Sequence, residues 1–209
     1  MDIDGLRVAG PEQVYPVRED SLLLATVSEI RPGESVLEVG CGTGLASRAA
    51  ARAGARAIAS DLNPYALRWL TETSAAEDLR VDCVRGDLLS CFRRFDVVLF
   101  NPPYLPTTPP ETDPDPWQDL ALNGGKDGQR TLRRFLRMLP QHLAPKGRAY
   151  VLHASIPSAG GPSKFPAREL GKGWEVEPVG ARKVPGEDLT VYRLSRVPAD
   201  VRPTIRRRG

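Results

Sequence analysis

Histidine and cysteine are scarce, two and three in 209 residues. The cysteines (Cys41, Cys83, Cys91) have neither paired spacing nor a CxxC, and with His142 and His153 they make no credible zinc set, so no metal site is expected. An odd cysteine count without a signal sequence fits a reducing cytoplasm, the expected location. No apolar run approaches membrane-spanning length. Excess charge is missing too. The net charge is +3, and Arg202, Arg206, Arg207 and Arg208 in the last nine residues leave 3 − 4 = −1 for the rest. The basic balance therefore sits in a tail, read as a solvated terminus before a nucleic-acid contact, and not in a face built for polyanions. Internal repeats are absent, and the length suits one domain with a sizeable core.

Proline is plentiful, 20 residues clustered in loops at 102–116 and 140–185. Two of them stand in Phe100-Asn101-Pro102-Pro103-Tyr104, directly behind the apolar run 96–100, which reads as a short buried strand. Proline lacks an N–H and has a fixed φ, so the chain past the strand is held stiffly extended. Two acceptors, the Asn101 side-chain oxygen and the Pro102 carbonyl, are thereby fixed beside the Tyr104 ring. That set suits a planar group bearing N–H₂; the tetrapeptide alone fits a strand-ending Asx turn equally well.

A polar-mixed lead-in, residues 1–13, precedes Val14-Tyr15-Pro16 and a helix over 22–30, for which Asp20 or Ser21 is the expected N-cap and Pro32-Gly33 the stop. Either residue can also face a ligand, since a helix start favours anions. A strand over 35–39 runs into Gly40-Cys41-Gly42-Thr43-Gly44 and a helix over 45–53. The next strand, 56–60, ends at Asp61, an acid placed to take both hydroxyls of a ribose. Glycine turn and acid together point to an adenosine-bearing cofactor, and the GxGxG spacing leans away from a dinucleotide. A helix over 64–76 and a strand over 80–84 lead to Gly86-Asp87-Leu88. There Asp87 can accept from an adenine amine with Leu88 against the ring, or simply cap a turn.

Residues 105–127 read as a long substrate-facing lid or a stiff surface excursion. An amphipathic helix over 131–143 follows, with Arg130, Arg133, Arg134 and Arg137 read as a solvated face before a contact with a charged partner. A strand over 148–153 ends at His153, expected to be packed before catalytic. Residues 155–172 are loop with a short helix, and strands over 174–179 and 189–194 pair. Strand–helix alternation through 153, then two strands with no full helix between, implies a parallel sheet with an antiparallel last strand. The expected divisions are a lead-in and helix at 1–34, a catalytic domain at 35–197 and a basic tail at 198–209.

Several motifs coincide in order: Val14-Tyr15-Pro16 with Glu19-Asp20-Ser21, Glu38-Val39-Gly40-Cys41-Gly42-Thr43-Gly44, Asp61-Leu62-Asn63-Pro64, Gly86-Asp87-Leu88, Asn101-Pro102-Pro103-Tyr104, and Gly124-Gly125-Lys126-Asp127-Gly128. On these the chain, from about residue 14 to 194, resembles the HemK/PrmC-related class I S-adenosylmethionine-dependent protein glutamine methyltransferases, most closely their short archaeal and eukaryotic-type branch. Ser21 departs slightly from the threonine more usual in that family and keeps the hydroxyl.

The resemblance implies a Rossmann-like α/β fold, a seven-stranded mostly parallel sheet with an antiparallel last strand and helices on both faces. It implies S-adenosyl-L-methionine as cofactor. Gly40, Gly42 and the Ser21 region would hold the methionine half, Glu38 its ammonium, Asp61 and Leu62 the ribose region, and Asp87 and Leu88 the adenine. Asn101 and Pro102 would grip the substrate amide, Asn101 bordering the cofactor as well, with Tyr104 packed on the amide or shaping the methyl path. The target it implies is the glutamine of a Gly-Gly-Gln loop in a translation release factor. Eukaryotic-type relatives pair with a small zinc-binding activator along the edge of the third strand, where Val81 and Cys83 would be exposed in the isolated chain.

Chemistry supports the same reading. An amide nitrogen is a poor nucleophile and the donor is a cation with a good leaving group. Catalysis then rests on placement at roughly 3–3.5 Å and on acceptors for both amide hydrogens, with no strong base. Adenine-N6 or guanine-N2 methyltransferases share the tetrapeptide, but the near-neutral core and lack of a recognition domain argue against a nucleic-acid substrate. The same residues leave open a lysine-directed enzyme, a cofactor-binding subunit without catalysis and an NAD-dependent enzyme.

Overall fold

The computed structural model describes residues 1–7, 9–107, 112–156 and 164–197. The arginine-rich tail and part of the expected 105–127 excursion lie outside the described residues.

Strands β1 (Ser35–Val39), β2 (Arg56–Asp61), β3 (Val81–Arg85), β4 (Phe95–Phe100), β5 (Leu143–Ser155), β6 (Trp174–Val184) and β7 (Glu187–Arg196) form one sheet in the order β3-β2-β1-β4-β5-β7-β6. β3, β2, β1, β4 and β5 are mutually parallel, while β7 runs antiparallel between β5 and β6. This is the seven-stranded, mostly parallel α/β sheet expected, with the last strand reversed. β5 begins earlier than expected: Leu143 pairs with Phe95, a bulge follows, and the ladder resumes at Val97 and Arg148.

The helices are α1 (Glu19–Val27), α2 (Leu45–Arg52), α3 (Pro64–Ala76), α4 (Pro116–Leu122) and α5 (Arg130–His142). Side chains alternate across the strands and divide the core. Val36, Val97, Leu99 and Leu152 face α1 and α2, while Leu37, Val98, Phe100 and Val151 face Leu132, Phe135, Leu136 and Leu139 of α5. α3 has the expected start, with Asn63 accepting from the Tyr65 N–H at 2.9 Å and Pro64 at its first position.

Two helix expectations need correction. α1 begins at Glu19 and is capped by neither Asp20 nor Ser21. It ends before Pro32, because Ser28 turns extended and its hydroxyl takes the Leu24 carbonyl at 2.7 Å. The 105–127 excursion is not loop throughout. Asp115 accepts from the Trp117 and Gln118 N–H groups with Pro116 at the first position, starting α4. The lead-in is docked: Leu6 is buried, and the wholly buried Arg48 guanidinium donates to the Arg7 carbonyl and pairs with Glu77 at 2.7 Å.

Candidate active site

Chain order steps outward from β1 to β2 and β3, then crosses to β4 on the other side of β1. Open α/β sheets bind ligands at such a reversal, beyond the carboxyl ends of the strands. A cavity of about 340 Å³ lies there. Val39 and Phe100 are register partners, so the residues that follow them, Gly40 and Asn101, leave the sheet side by side. All the expected site residues line this cavity: Ser21, Glu38, Gly40, Gly42, Asp61, Leu62, Asp87, Leu88, Asn101, Pro102 and Tyr104.

Gly40 and Gly42 have φ of +60° and +52°, so the turn itself requires glycine, while an added Cβ on either would meet nothing closer than 3.7 Å. Gly44 differs. A Cβ there would lie 2.4 Å from Leu70 Cδ1, so the close approach of turn and α3 falls on the third glycine of GxGxG. Asp61 closes the turn: one carboxylate oxygen accepts from Gly42 N–H and the other from Asn63 N–H, each at 2.9 Å. Burial raises its pKa against these bonds. Glu38 points to the α2 side, accepts from Ser47 N–H at 2.8 Å, and is pushed by burial to about 7.

At the far wall Leu88 adopts φ +52°, left-handed backbone that costs a leucine about 1 kcal/mol or more and turns its side chain into the cavity wall. Asp87 is engaged by Arg134 at 2.7 Å. The α5 arginines do more than solvate a face: Arg133 pairs with Asp127 at 2.6 Å and Arg137 with Glu169 at 2.7 Å. His153 is packed, as expected, edge-on to Phe165 and Tyr192 beside Gln129, and burial lowers its pKa to about 4.

Beyond the end of β4, Asn101 Nδ2 donates to Asp20 Oδ2 at 3.1 Å, and Asn101 Oδ1 is buried with no hydrogen-bond partner among the described residues. Asp20 is itself 2% exposed and accepts from the Tyr15 hydroxyl at 3.1 Å and from Ser21 N–H and Oγ. Its role as the acceptor that orients Asn101 is missed by a reading of residue order. The signal that could have found it is spacing: Asp20 lies four residues before the buried Leu24, hence on the buried face of α1. Gly124–Gly128 clasps the chain that follows Tyr104. Gly124 N–H donates to the Leu105 carbonyl and Thr107 N–H to the Gly125 carbonyl, and a Cβ on Gly128 would stand 2.3 Å from the Tyr104 carbonyl oxygen. That loop is scaffold for Asn101–Tyr104. Glu187, which accepts from the Tyr104 hydroxyl at 3.1 Å, has no sequence signal, because it arrives from the β6–β7 hairpin.

The donor set fits a nucleoside attached to an amino acid: an acid anchored at the end of β2 for a diol, a buried acid on β1 for a cation, and glycine backbone between them. The methyltransferase small domain family matches residues 19–118. Among curated proteins, MJ0928 of Methanocaldococcus jannaschii, provisionally named a protein N5-glutamine methyltransferase, is 36% identical over 94% of this chain and 99% of its own. Human Methyltransferase HEMK2 is 32% identical, covering 66% of this chain and 71% of its own. Among solved structures, Mtq2 of E. cuniculi, in a complex with Trm112 described as responsible for methylation of the eRF1 termination factor, superposes with a TM-score of 0.67 and 26% identity, covering 88% and 99% of the two chains.

Fold and site thus define a class I S-adenosylmethionine-dependent methyltransferase. Within that class the chain belongs to the HemK/PrmC-related protein glutamine methyltransferase family.

Proposed function

We propose that this protein transfers a methyl group to the N5 amide nitrogen of a glutamine in a Gly-Gly-Gln loop of a translation release factor. The observation that carries the reading is the orphaned, buried Oδ1 of Asn101, held by the Nδ2–Asp20 bond. A buried acceptor without a partner costs about 1–3 kcal/mol, so it is kept for something that donates to it. A primary amide donates two hydrogens, and the Pro102 carbonyl on the stiff Pro-Pro segment is the second acceptor of this reading.

S-adenosyl-L-methionine, when bound, supplies an electrophilic methyl group on a cationic sulfur. Toward it, Glu38 would neutralise the ammonium, Asp61 would accept from the ribose hydroxyls, and Asp87 and Leu88 would border the adenine. Gly40, Gly42 and Ser21 would border the methionine half, and Leu62 would lie beside the ribose. Asn101 and Pro102 orient the substrate nitrogen and bias charge onto it by accepting its hydrogens. With its lone pair so aimed at the donor methyl, the amide would need only this positioning from Asn101 and Pro102, and the extra proton would be lost to water. Tyr104 shapes the wall beside the amide. His153 is neutral and packed away from this chemistry.

The relatives' names support a protein substrate, and the Mtq2–Trm112 pairing supports a small activator subunit. Its place in this reading is the edge of β3, which among the described residues pairs only with β2 and carries half-buried Val81, Cys83 and Val84. Zinc in that activator belongs to the same proposal. A cytoplasmic enzyme fits the reading; no helix among the described residues is long and apolar enough to cross a membrane.

The deciding experiment incubates the protein, alone and with such an activator, with release factors and ribosomal proteins and locates the added methyl by mass spectrometry. Methylation at Gly-Gly-Gln supports the reading; modification confined to lysine or to nucleic-acid bases overturns it. Full activity of the isolated chain overturns the activator.

A further inference from the structure

Asp20 is oversubscribed. A carboxylate offers about four lone-pair sites, two on each oxygen. Oδ1 is filled by Ser21, through N–H at 2.6 Å and Oγ at 3.2 Å. Three donors converge on Oδ2: the Tyr15 hydroxyl at 3.1 Å, Asn101 Nδ2 at 3.1 Å and the Tyr104 hydroxyl at 3.4 Å. Five donors thus face four sites, and the weakest contact is that of Tyr104.

Tyr104 has one hydroxyl proton and a second acceptor, Glu187 Oε2, at the shorter distance of 3.1 Å. Glu187 is the first residue of β7, directly after the β6–β7 turn. Burial, then Asp20, Tyr15 and Glu187, hold the Tyr104 phenol well above its ordinary pKa, so the proton stays on the phenol and is donated to one acid or the other.

We propose that Glu187 is a positioning residue for methyl transfer: by accepting the Tyr104 hydroxyl it leaves Asp20 Oδ2 to Tyr15 and Asn101, and so keeps Asn101 Oδ1 turned toward the substrate. Without Glu187 the acceptors left to the Tyr104 hydroxyl are Asp20 Oδ2 and the Tyr15 hydroxyl oxygen, and of these the charged Asp20 is the stronger, so Tyr104 competes there with Asn101 Nδ2. The Asn101 amide is then free to rotate, and the acceptor geometry is lost. Glu187 touches no reacting atom; it acts on Asn101 through Tyr104 and Asp20, three hydrogen bonds away. The inference rests on the reading that Asn101 Oδ1 grips the substrate amide.

The full-length protein tests it with four variants: Glu187→Ala, Glu187→Gln, Tyr104→Phe and the double variant Tyr104→Phe/Glu187→Ala. Two readouts are needed, turnover on a Gly-Gly-Gln release factor and the side-chain amide NMR signals of Asn101, identified by their loss in Asn101→Ala. Glu187→Ala is expected to lower kcat about tenfold, as a small misplacement of a positioning group does. S-adenosylhomocysteine affinity should stay within about twofold, because no cofactor contact is lost. The same variant should shift the Asn101 amide signals away from those of a carboxylate-bound amide. Glu187→Gln keeps an acceptor for the Tyr104 hydroxyl and should behave as the parent protein.

In the double variant residue 104 has no hydroxyl to compete with Asn101 for Asp20, so Glu187→Ala should add nothing to Tyr104→Phe, and the Asn101 signals should return. An equal loss from Glu187→Ala in both backgrounds, or unshifted Asn101 signals in the single variant, overturns the inference. Unchanged turnover in Asn101→Ala overturns the substrate-amide reading instead, and the amide signals distinguish the two failures.

Discussion

Asn101 and Asp20 are 81 positions apart in the chain and 3.1 Å apart in the fold. Because Nδ2 is committed to Asp20, the orientation of the Asn101 amide is set, and Oδ1 is the buried end left without a partner among the described residues, on a residue that lines the cavity. Asp20→Asn removes that selection, since an amide at residue 20 can donate to Oδ1 as readily as accept from Nδ2. The variant is expected to lose methyl transfer by about tenfold or more, and a steady-state assay beside a calorimetric measure of S-adenosylhomocysteine affinity checks it.

Asn101→Ala is expected to bind S-adenosylhomocysteine and to lose at least an order of magnitude in turnover, as loss of a preorganised polar group in a buried site does. Thermal-shift titration with the product, alongside the methylation assay, separates the two effects. Turnover equal to the parent protein's contradicts the assignment of the substrate end.

Asp61→Ala is expected to weaken S-adenosylhomocysteine binding by about tenfold or more, the scale of one or two hydrogen bonds to a charged acceptor. Two effects combine, because the carboxylate also ties Gly42 and Asn63 in place. Calorimetry giving equal affinities for variant and parent would refute the ribose role.

The Glu38 carboxyl gives the free protein a pH signature. Its folded value, about 7, stands above the ordinary 4.5 because of burial. A raised folded pKa means that this group's contribution to stability is whole below about 4.5, falls as pH rises, and is lost above about 7. A ligand ammonium favours the ionised form, so binding between those pH values should release a proton. Calorimetry near pH 6 in buffers of different ionisation heat should show that release, and Glu38→Gln should abolish it.

Gly128→Ala sets a Cβ 2.3 Å from the Tyr104 carbonyl oxygen on a backbone with φ of +70°. Both terms destabilise, by about 1–3 kcal/mol each. A drop of several degrees in Tm is expected, together with loss of turnover as the chain after Asn101 shifts. Gly186→Ala is the control, with φ +84° and no atom within 4 Å of the added Cβ; it should lower Tm less and spare turnover.

Local chemistry settled much of this protein in advance. Alternating apolar strands, the glycine turn after Val39 and the Asn63-Pro64 start of α3 depend on near neighbours, so the element order and the residues at the carboxyl ends of β1, β2 and β4 were legible in the sequence. Asp115-Pro116 is an equally local start for α4, but it is diluted by the prolines around it. What only the tertiary structure decided is which partners those residues have. Asp20 read as a helix cap because capping is a property of four consecutive residues, whereas its burial comes from docking α1 against the site. Glu187 carries no local mark at all; the hairpin delivers it to Tyr104 from 83 positions away. The free oxygen of Asn101 is likewise a property of packing: sequence supplied the amide, and the fold chose which of its two ends stays unpaired.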